Sequence, residues 1–267
     1  MNFKNGFFTV TSEQQQSHTI LMTPIDLNCD MGEGVNTDAQ LMPLISSASI
    51  ACGYHAGDAD TMKKTVELAL MHHVAIGAHP GFADKEFFGR RELKLSTDEV
   101  YDLIAGQISA LKKITDSFQA KLHHVKPHGA LYNIAARDAS LARTIALAVQ
   151  DVDKNLMLYG LSGSYLISEG EAIRLKTASE VFADRTYGDD GSLTPRSQPN
   201  ALIEDELQCA AQVLQMITQQ TVTSINGHTV PIVAQTICIH GDGKHAVAFA
   251  HTIYQSLKEN RIDIKAP

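Results

Sequence analysis

Pro24-Ile25-Asp26-Leu27-Asn28-Cys29-Asp30-Met31-Gly32-Glu33-Gly34 is an apolar run that breaks into acids and glycines. Ile25, Leu27 and Cys29 alternate with Asp26, Asn28 and Asp30, the period of two that puts three polar side chains on one face of a strand. The same kind of ending recurs in Ala51-Cys52-Gly53-Tyr54-His55, Ile76-Gly77-Ala78-His79-Pro80, Val125-Lys126-Pro127-His128-Gly129 and Ile239-His240-Gly241-Asp242. Short apolar runs that finish in His, Asp or Lys beside Gly or Pro read as strands delivering side chains to one shared place. For Asp26 the alternative to a place in that shared site is a buried hydrogen-bond hub inside the fold.

Working outward, further strands fit residues 47–52, 74–78, 122–127, 156–159, 180–183 and 232–239, and helical periods separate them. Asp60 is placed as the cap of a helix carrying Met62, Val66, Ala69 and Leu70 on one face. Ser96 with Glu99 forms a capping box, Asp138 opens another helix, and Ile203, Leu207, Ala210, Leu214 and Ile217 mark the inward stripe of a later one. Two long polar segments, 80–95 and 184–199, read as lids or binding loops, with Arg91 paired to an acid in the first. Seven strands alternating with helices predict a parallel sheet, because parallel strands need helical crossovers. Polar residues at so many C-terminal strand ends favour a barrel, where all ends meet at one mouth, over an open sheet. The fold class is therefore α/β, a TIM-like barrel of seven strands.

A chain of 267 residues with 44% hydrophobic content is large enough for one core. The net charge of −8 with 22 scattered Lys and Arg argues against a nucleic-acid partner. No apolar run reaches the roughly 18 residues of a membrane span. Cys29, Cys52, Cys209 and Cys238 lack C-x-x-C spacing and read as small buried hydrophobes in a reducing cytoplasm. Residues 1–21 are polar and Gln-rich and read as a flexible extension, with Met22 an alternative start, and 22–267 as a single barrel domain.

The blocks at 26–33 (DLNCDMGE), 51–58 (ACGYHAGD), 77–82 (GAHPGF), 88–91 (FGRR), 125–133 (VKPHGALYN), 180–185 (EVFADR) and 236–242 (TICIHGD) resemble, in unbroken order, those of the LamB/YcsF family, named for lactam utilisation. Tyr54, where that family usually has Phe, and Gly243, where Asn is common, are small departures. The resemblance implies a distorted barrel akin to the glycoside hydrolase and sugar-deacetylase superfamily. It also implies a hydrolase role on a cyclic amide: ATP-coupled opening of 5-oxo-L-proline to L-glutamate, performed with two further subunits of B and C type.

Opening an unstrained lactam is hard because the amide is resonance-stabilised and its amine leaves poorly, so phosphate activation is a sensible route. Such a site needs a base for water, cations for developing charge and a clamp for the free carboxylate. Asp30, Glu180 and Asp242 are the candidate bases, and Lys126, His128 and His240 the charge stabilisers. Asn28, His55 and His79 are assigned to hold substrate, with Arg90 or Arg185 as the anion clamp. Gly241 and Gly243, in a G-x-G-x-x-A run between a strand and a helix, suit phosphate. No G-x-x-x-x-G-K-[ST] occurs, so ATP with Mg is expected mainly on the partner subunits. Asp30, His55 and His79 also offer the ligand types of a catalytic zinc. Deacetylase relatives use a His-x-x-x-His helical pair that is missing here, and a tightly bound catalytic metal is not expected. The alternatives are a metal-dependent sugar or amide deacetylase and a non-catalytic partner of the ATP-using subunits.

Deleting residues 1–21 is expected to leave the melting temperature nearly unchanged, since the segment has no apolar period to bury. Calorimetry on full-length and shortened chains checks this, and a marked drop would mean that the segment packs on the domain.

Overall fold

The computed structural model describes residues 23–241 and 246–267. The expectations for residues 1–21, for Asp242 and for Gly243 lie outside the described residues. Seven parallel strands close into a barrel in the order β1 (Asp26–Met31), β2 (Ser47–Ala51), β3 (Ala75–His79), β4 (Leu122–Val125), β5 (Met157–Leu161), β6 (Lys176–Phe182) and β9 (Thr236–Ile239), which returns to β1. The short strands β7 (Thr221–Thr223) and β8 (Thr229–Pro231) form a separate antiparallel hairpin.

Alternation along β1 explains its sequence. All six residues are buried, but the two faces meet different surroundings. Leu27, Cys29 and Met31 belong to the hydrophobic core. Asp26, Asn28 and Asp30 face the barrel interior and bond to Ser47, Thr236 and Lys126 respectively. Asp26 is the predicted hub: it accepts from Ser46 Oγ at 2.6 Å, Ser47 Oγ at 2.7 Å, Tyr159 Oη at 3.0 Å and Thr236 Oγ1 at 2.6 Å. Burial, and then Asp26, push the Tyr159 phenol well up, so it stays a donor. The barrel is thus wrapped by apolar side chains and filled by polar ones.

The helices are α1 (Asp38–Leu41), α2 (Ala59–Met71), α3 (Thr97–Ser117), α4 (Gly129–Ala135), α5 (Ala139–Val152), α6 (Tyr165–Ala172), α7 (Glu206–Gln219) and α8 (Ala246–Glu259). The capping box holds: Ser96 Oγ accepts from Glu99 N, and Glu99 accepts from Ser96 N at 2.7 Å. Asp138 caps α5 as expected. The cap of α2 is Asp58, not Asp60, because Asp58 has the extended backbone that lets its carboxylate accept from Thr61 N at 2.8 Å. On α7 the buried face is Cys209, Ala210, Val213 and Met216, while Leu207 is 71% exposed. Starting the helical period at Ile203, which precedes the helix, sets the expected stripe one position off. The last barrel strand starts at Thr236 rather than 232, since residues 229–231 belong to the hairpin turned at Asn226-Gly227. No helix among the described residues is long and apolar enough to cross a membrane.

Interior space is rationed tightly beside β3. A Cβ on Gly77 would lie 2.0 Å from His124 Nε2. That ring is fixed by stacking on Tyr159 at 4.1 Å and by a 3.2 Å bond to Ser49 Oγ. Gly77→Ala is therefore expected to destabilise the chain by about 1–3 kcal/mol, the usual cost of overpacking a core. Urea unfolding would show a lower midpoint at unchanged slope, and an unchanged midpoint would mean that His124 moves freely.

Candidate active site

The strand ends meet at one mouth. Asp30 ends the inward row of β1, His79 closes β3, and Lys126 and His128 follow β4, with His128 at the position preceding α4. Glu180 and Phe182 come from β6 and His240 follows β9. A cavity of about 700 Å³ opens here, walled by Asp30, Glu33, His79, Lys126, His128, His240, Arg90, Arg185 and Tyr132 among others. The two long loops supply Arg90 on one side and Arg185 to Arg196 on the other.

The Lys126 ammonium is the centre of this floor. It lies 2.8 Å from Asp30 Oδ1 and 2.9 Å from Glu180 Oε1, and donates to Asn28 Oδ1 at 3.1 Å and Cys238 Sγ at 3.1 Å. Burial works against its charge, but the neighbouring Asp30 and Glu180 carboxylates win and hold its pKa well above the ordinary lysine range. For Asp30 burial again opposes the charged form, and His79 and Lys126 overcome it, holding the carboxyl well below its ordinary range.

Two histidines are wired end to end. His79 Nδ1 lies 2.7 Å from the Lys126 carbonyl, and His128 Nε2 lies 2.8 Å from the Phe88 carbonyl. A carbonyl only accepts, so both nitrogens carry hydrogen. Their remaining nitrogens, His79 Nε2 and His128 Nδ1, face each other at 2.8 Å. Two neutral rings in these tautomers would point lone pair at lone pair, so a cation must join them. Without any other ion it is a third proton, and the pair is a monocation beside Asp30, 3.4 Å from His79. Burial and then the charge of His79 depress the His128 pKa well below normal. His55 stacks on His128 with centroids 3.7 Å apart, and burial pushes its pKa down to about 3.

The backbone is bent to make this possible. Phe88 (φ 55°) and Gly89 (φ 63°) are both left-handed, which aims the Phe88 carbonyl at His128. A Cβ at Gly89 would lie 2.8 Å from His55 and 2.9 Å from His128. Arg91 pairs with Asp84 at 2.9 Å, the expected acid in that loop.

Of the sequence candidates, Asp30, His79, Lys126, His128, His240, Arg90 and Arg185 wall the cavity. Asn28 and Glu180 are fully buried and bond each other and Lys126, so they position the ammonium. His55 lies behind His128 and is not on the wall. Gly241 is buried and its carbonyl accepts from Thr37 Oγ1 at 3.0 Å. Arg185 donates to the carbonyls of Ala201 and Thr194, and burial lowers its pKa to about 10, so its guanidinium braces the loop. Sequence reasoning assigned no role to Glu33 or Asp184. Glu33 Oε1 reaches His55 at 3.1 Å and His128 at 3.4 Å, and Asp184 holds His240 Nδ1 at 2.9 Å. Both sit in the quoted family blocks, one or a few residues past a strand, and that position was the available signal. One ligand-type atom from each of Glu33, His55, His79 and His128 lies within 4.8 Å of the others, and so for Asp30, Cys238 and His240. In the second group the Lys126 ammonium already bonds two of the three.

The sequence model described as LamB/YcsF family matches residues 25–267. Two relatives named as the A subunit of 5-oxoprolinase are from Tolumonas auensis, 52% identical across 92% of this chain and 100% of theirs, and Shouchella clausii, 56% identical across 92% and 99%. The crystal structure of the lactam utilization protein from Thermus thermophilus superposes with a TM-score of 0.87 at 40% identity, covering 92% of this chain and 100% of that one. A family 4 carbohydrate esterase from Streptomyces lividans shares the fold alone, with a TM-score of 0.50 at 11% identity over 91% of this chain and 92% of the esterase.

Lys126→Met leaves Asp30 and Glu180 buried without their counter-charge and is expected to cost about 3–5 kcal/mol. Adding Glu180→Gln should recover part of that loss. Denaturant titration of both variants checks the pair, and equal stability of the single variant and the unchanged chain would show that solvent reaches the two carboxylates.

Proposed function

The chain belongs to the LamB/YcsF family, and from that premise we propose that it is the A-type component of an ATP-dependent 5-oxoprolinase, opening 5-oxo-L-proline to L-glutamate. The observation that carries the reading is the convergence of an ionised carboxylate, a buried ammonium and a hydrogen-bonded histidine pair on one small-molecule cavity, in a chain 52–56% identical to proteins of that name.

The reaction adds water across the ring C–N bond. The γ-phosphoryl group of ATP passes to the lactam oxygen with release of ADP; one water bonds to the activated carbonyl carbon, the C–N bond breaks with the nitrogen taking a proton, and the acyl phosphate so formed reacts with a second water to give the carboxylate and phosphate. In this reading Asp30, ionised and on the cavity wall, accepts the water's proton. Lys126 and the His79–His128 pair stabilise oxyanion or phosphoryl charge. His240, held by Asp184, is the donor for the departing nitrogen. Arg90, on the cavity wall, is the clamp for the substrate carboxylate in this reading, and Arg185 braces backbone carbonyls.

The letter in the relatives' name implies further subunits in their enzyme. In this reading the partners are of B and C type and carry most of the ATP and Mg binding, which the absence of a P-loop motif in the sequence supports. A cytoplasmic site of action agrees with four free, buried cysteines.

The test is glutamate release from 5-oxoproline and ATP. The chain alone should release little, and addition of both partner subunits should restore turnover. Asp30→Asn in the complex should lower kcat by about 10²-fold or more, the scale of a lost general base. Full turnover by the isolated chain would sink the divided labour, and an unaltered rate for Asp30→Asn would remove Asp30 from the chemistry.

A further inference from the structure

We propose that Glu33, His79 and His128 form a binding site for a divalent transition-metal ion of the zinc class, at the wall of the cavity. The proposal goes beyond the lactam-opening reading and concerns ion binding by this chain itself.

The first argument is the lone-pair geometry. His79 Nε2 and His128 Nδ1 face each other because their other nitrogens are fixed as donors to the Lys126 and Phe88 carbonyls. A second nitrogen anchored to a carbonyl is how metal-binding histidines are held in the right tautomer and orientation. The position between them demands a cation, and a metal ion meets that demand as well as a proton does.

The second is spacing. His79 Nε2 to His128 Nδ1 is 2.8 Å, His128 Nδ1 to Glu33 Oε1 is 3.4 Å, and His79 Nε2 to Glu33 Oε1 is 3.8 Å. Ligands bound at about 2.0–2.1 Å around a tetrahedral ion stand about 3.3 Å apart, so small ring movements complete the site. Two imidazoles and one glutamate with an open position are the donor set of a catalytic zinc.

The third is which residue stays out. The His55 ring is parallel to that of His128 within 4° at 3.7 Å. An in-plane lone pair on each stacked ring cannot meet one ion. His55 Nε2 instead bonds Glu33 Oε1 at 3.1 Å, and His55 is absent from the cavity wall that Glu33, His79 and His128 share. His55 thus orients the glutamate, and the ion faces the cavity. The sequence grouped Asp30 with His55 and His79, but Asp30 is held by Lys126 and stands beside the site. Opening an amide changes no oxidation state, so a redox-inert ion that polarises a carbonyl or water suits the place.

The experiment uses the full, untagged chain, stripped with chelator, and titrates zinc by calorimetry and cobalt by visible absorption. The expected result is one zinc per chain, a higher melting temperature with zinc, and a cobalt d–d spectrum showing nitrogen and oxygen ligands. Glu33→Gln and His128→Gln should each weaken zinc binding about 100-fold or more, while His55→Gln should weaken it about 10-fold, as removal of an orienting partner does. If His128→Gln does not fold, Glu33→Gln and the cobalt spectrum of the unaltered chain decide. Absence of stoichiometric binding, or wild-type affinity in Glu33→Gln, overturns the proposal and leaves the histidine pair joined by a proton. These are binding readouts, so their failure is separable from failure of the glutamate-release assay.

Discussion

The Lys126 ammonium ties the barrel interior together. Its partners Asp30 and Asn28 come from β1, Glu180 from β6 and Cys238 from β9, so one charge, carried at the end of β4, links four of the seven strands. An uncompensated ammonium or carboxylate in such a place would cost several kcal/mol. The arrangement persists because each charge meets its opposite, and because Asn28 also donates to Glu180 and Thr236. Thr236 in turn donates to Asp26, which joins the site floor to the hub at the base of the barrel. Lys126 therefore cannot be removed without disturbing both the barrel interior and the cavity wall.

Around that floor the long loops turn backbone groups into parts of the site. The left-handed pair Phe88-Gly89 brings a carbonyl to His128, and the bare Gly89 leaves room for the stacked rings of His55 and His128. Left-handed backbone at a non-glycine residue is costly and persists where the surroundings fix it. Here the fixing contacts are the histidine and the 3.0 Å bond from Ala130 N to the Gly89 carbonyl. On the opposite side Arg185 braces the loop that carries Arg196, its guanidinium satisfied by backbone carbonyls.

The sequence by itself determined the seven-stranded parallel barrel and the residues at its mouth, since strand-like runs alternate with helical periods and several of those runs end in His, Asp or Lys beside Gly or Pro, with a period of two written locally into β1. It also carried the capping box of α3 and the hub role of Asp26, because these depend on neighbours or on strand parity. It did not show that Asp58 rather than Asp60 caps α2, since that turns on one residue's backbone conformation, or that β8 interrupts the approach to β9. Only the tertiary structure decided which polar residues meet. Asn28 and Glu180 are 152 positions apart yet hydrogen-bonded, and Glu33, a loop residue without strand parity to mark it, became the carboxylate between three imidazoles. Those pairings follow from barrel closure, which sets distances between strand ends that no local pattern encodes.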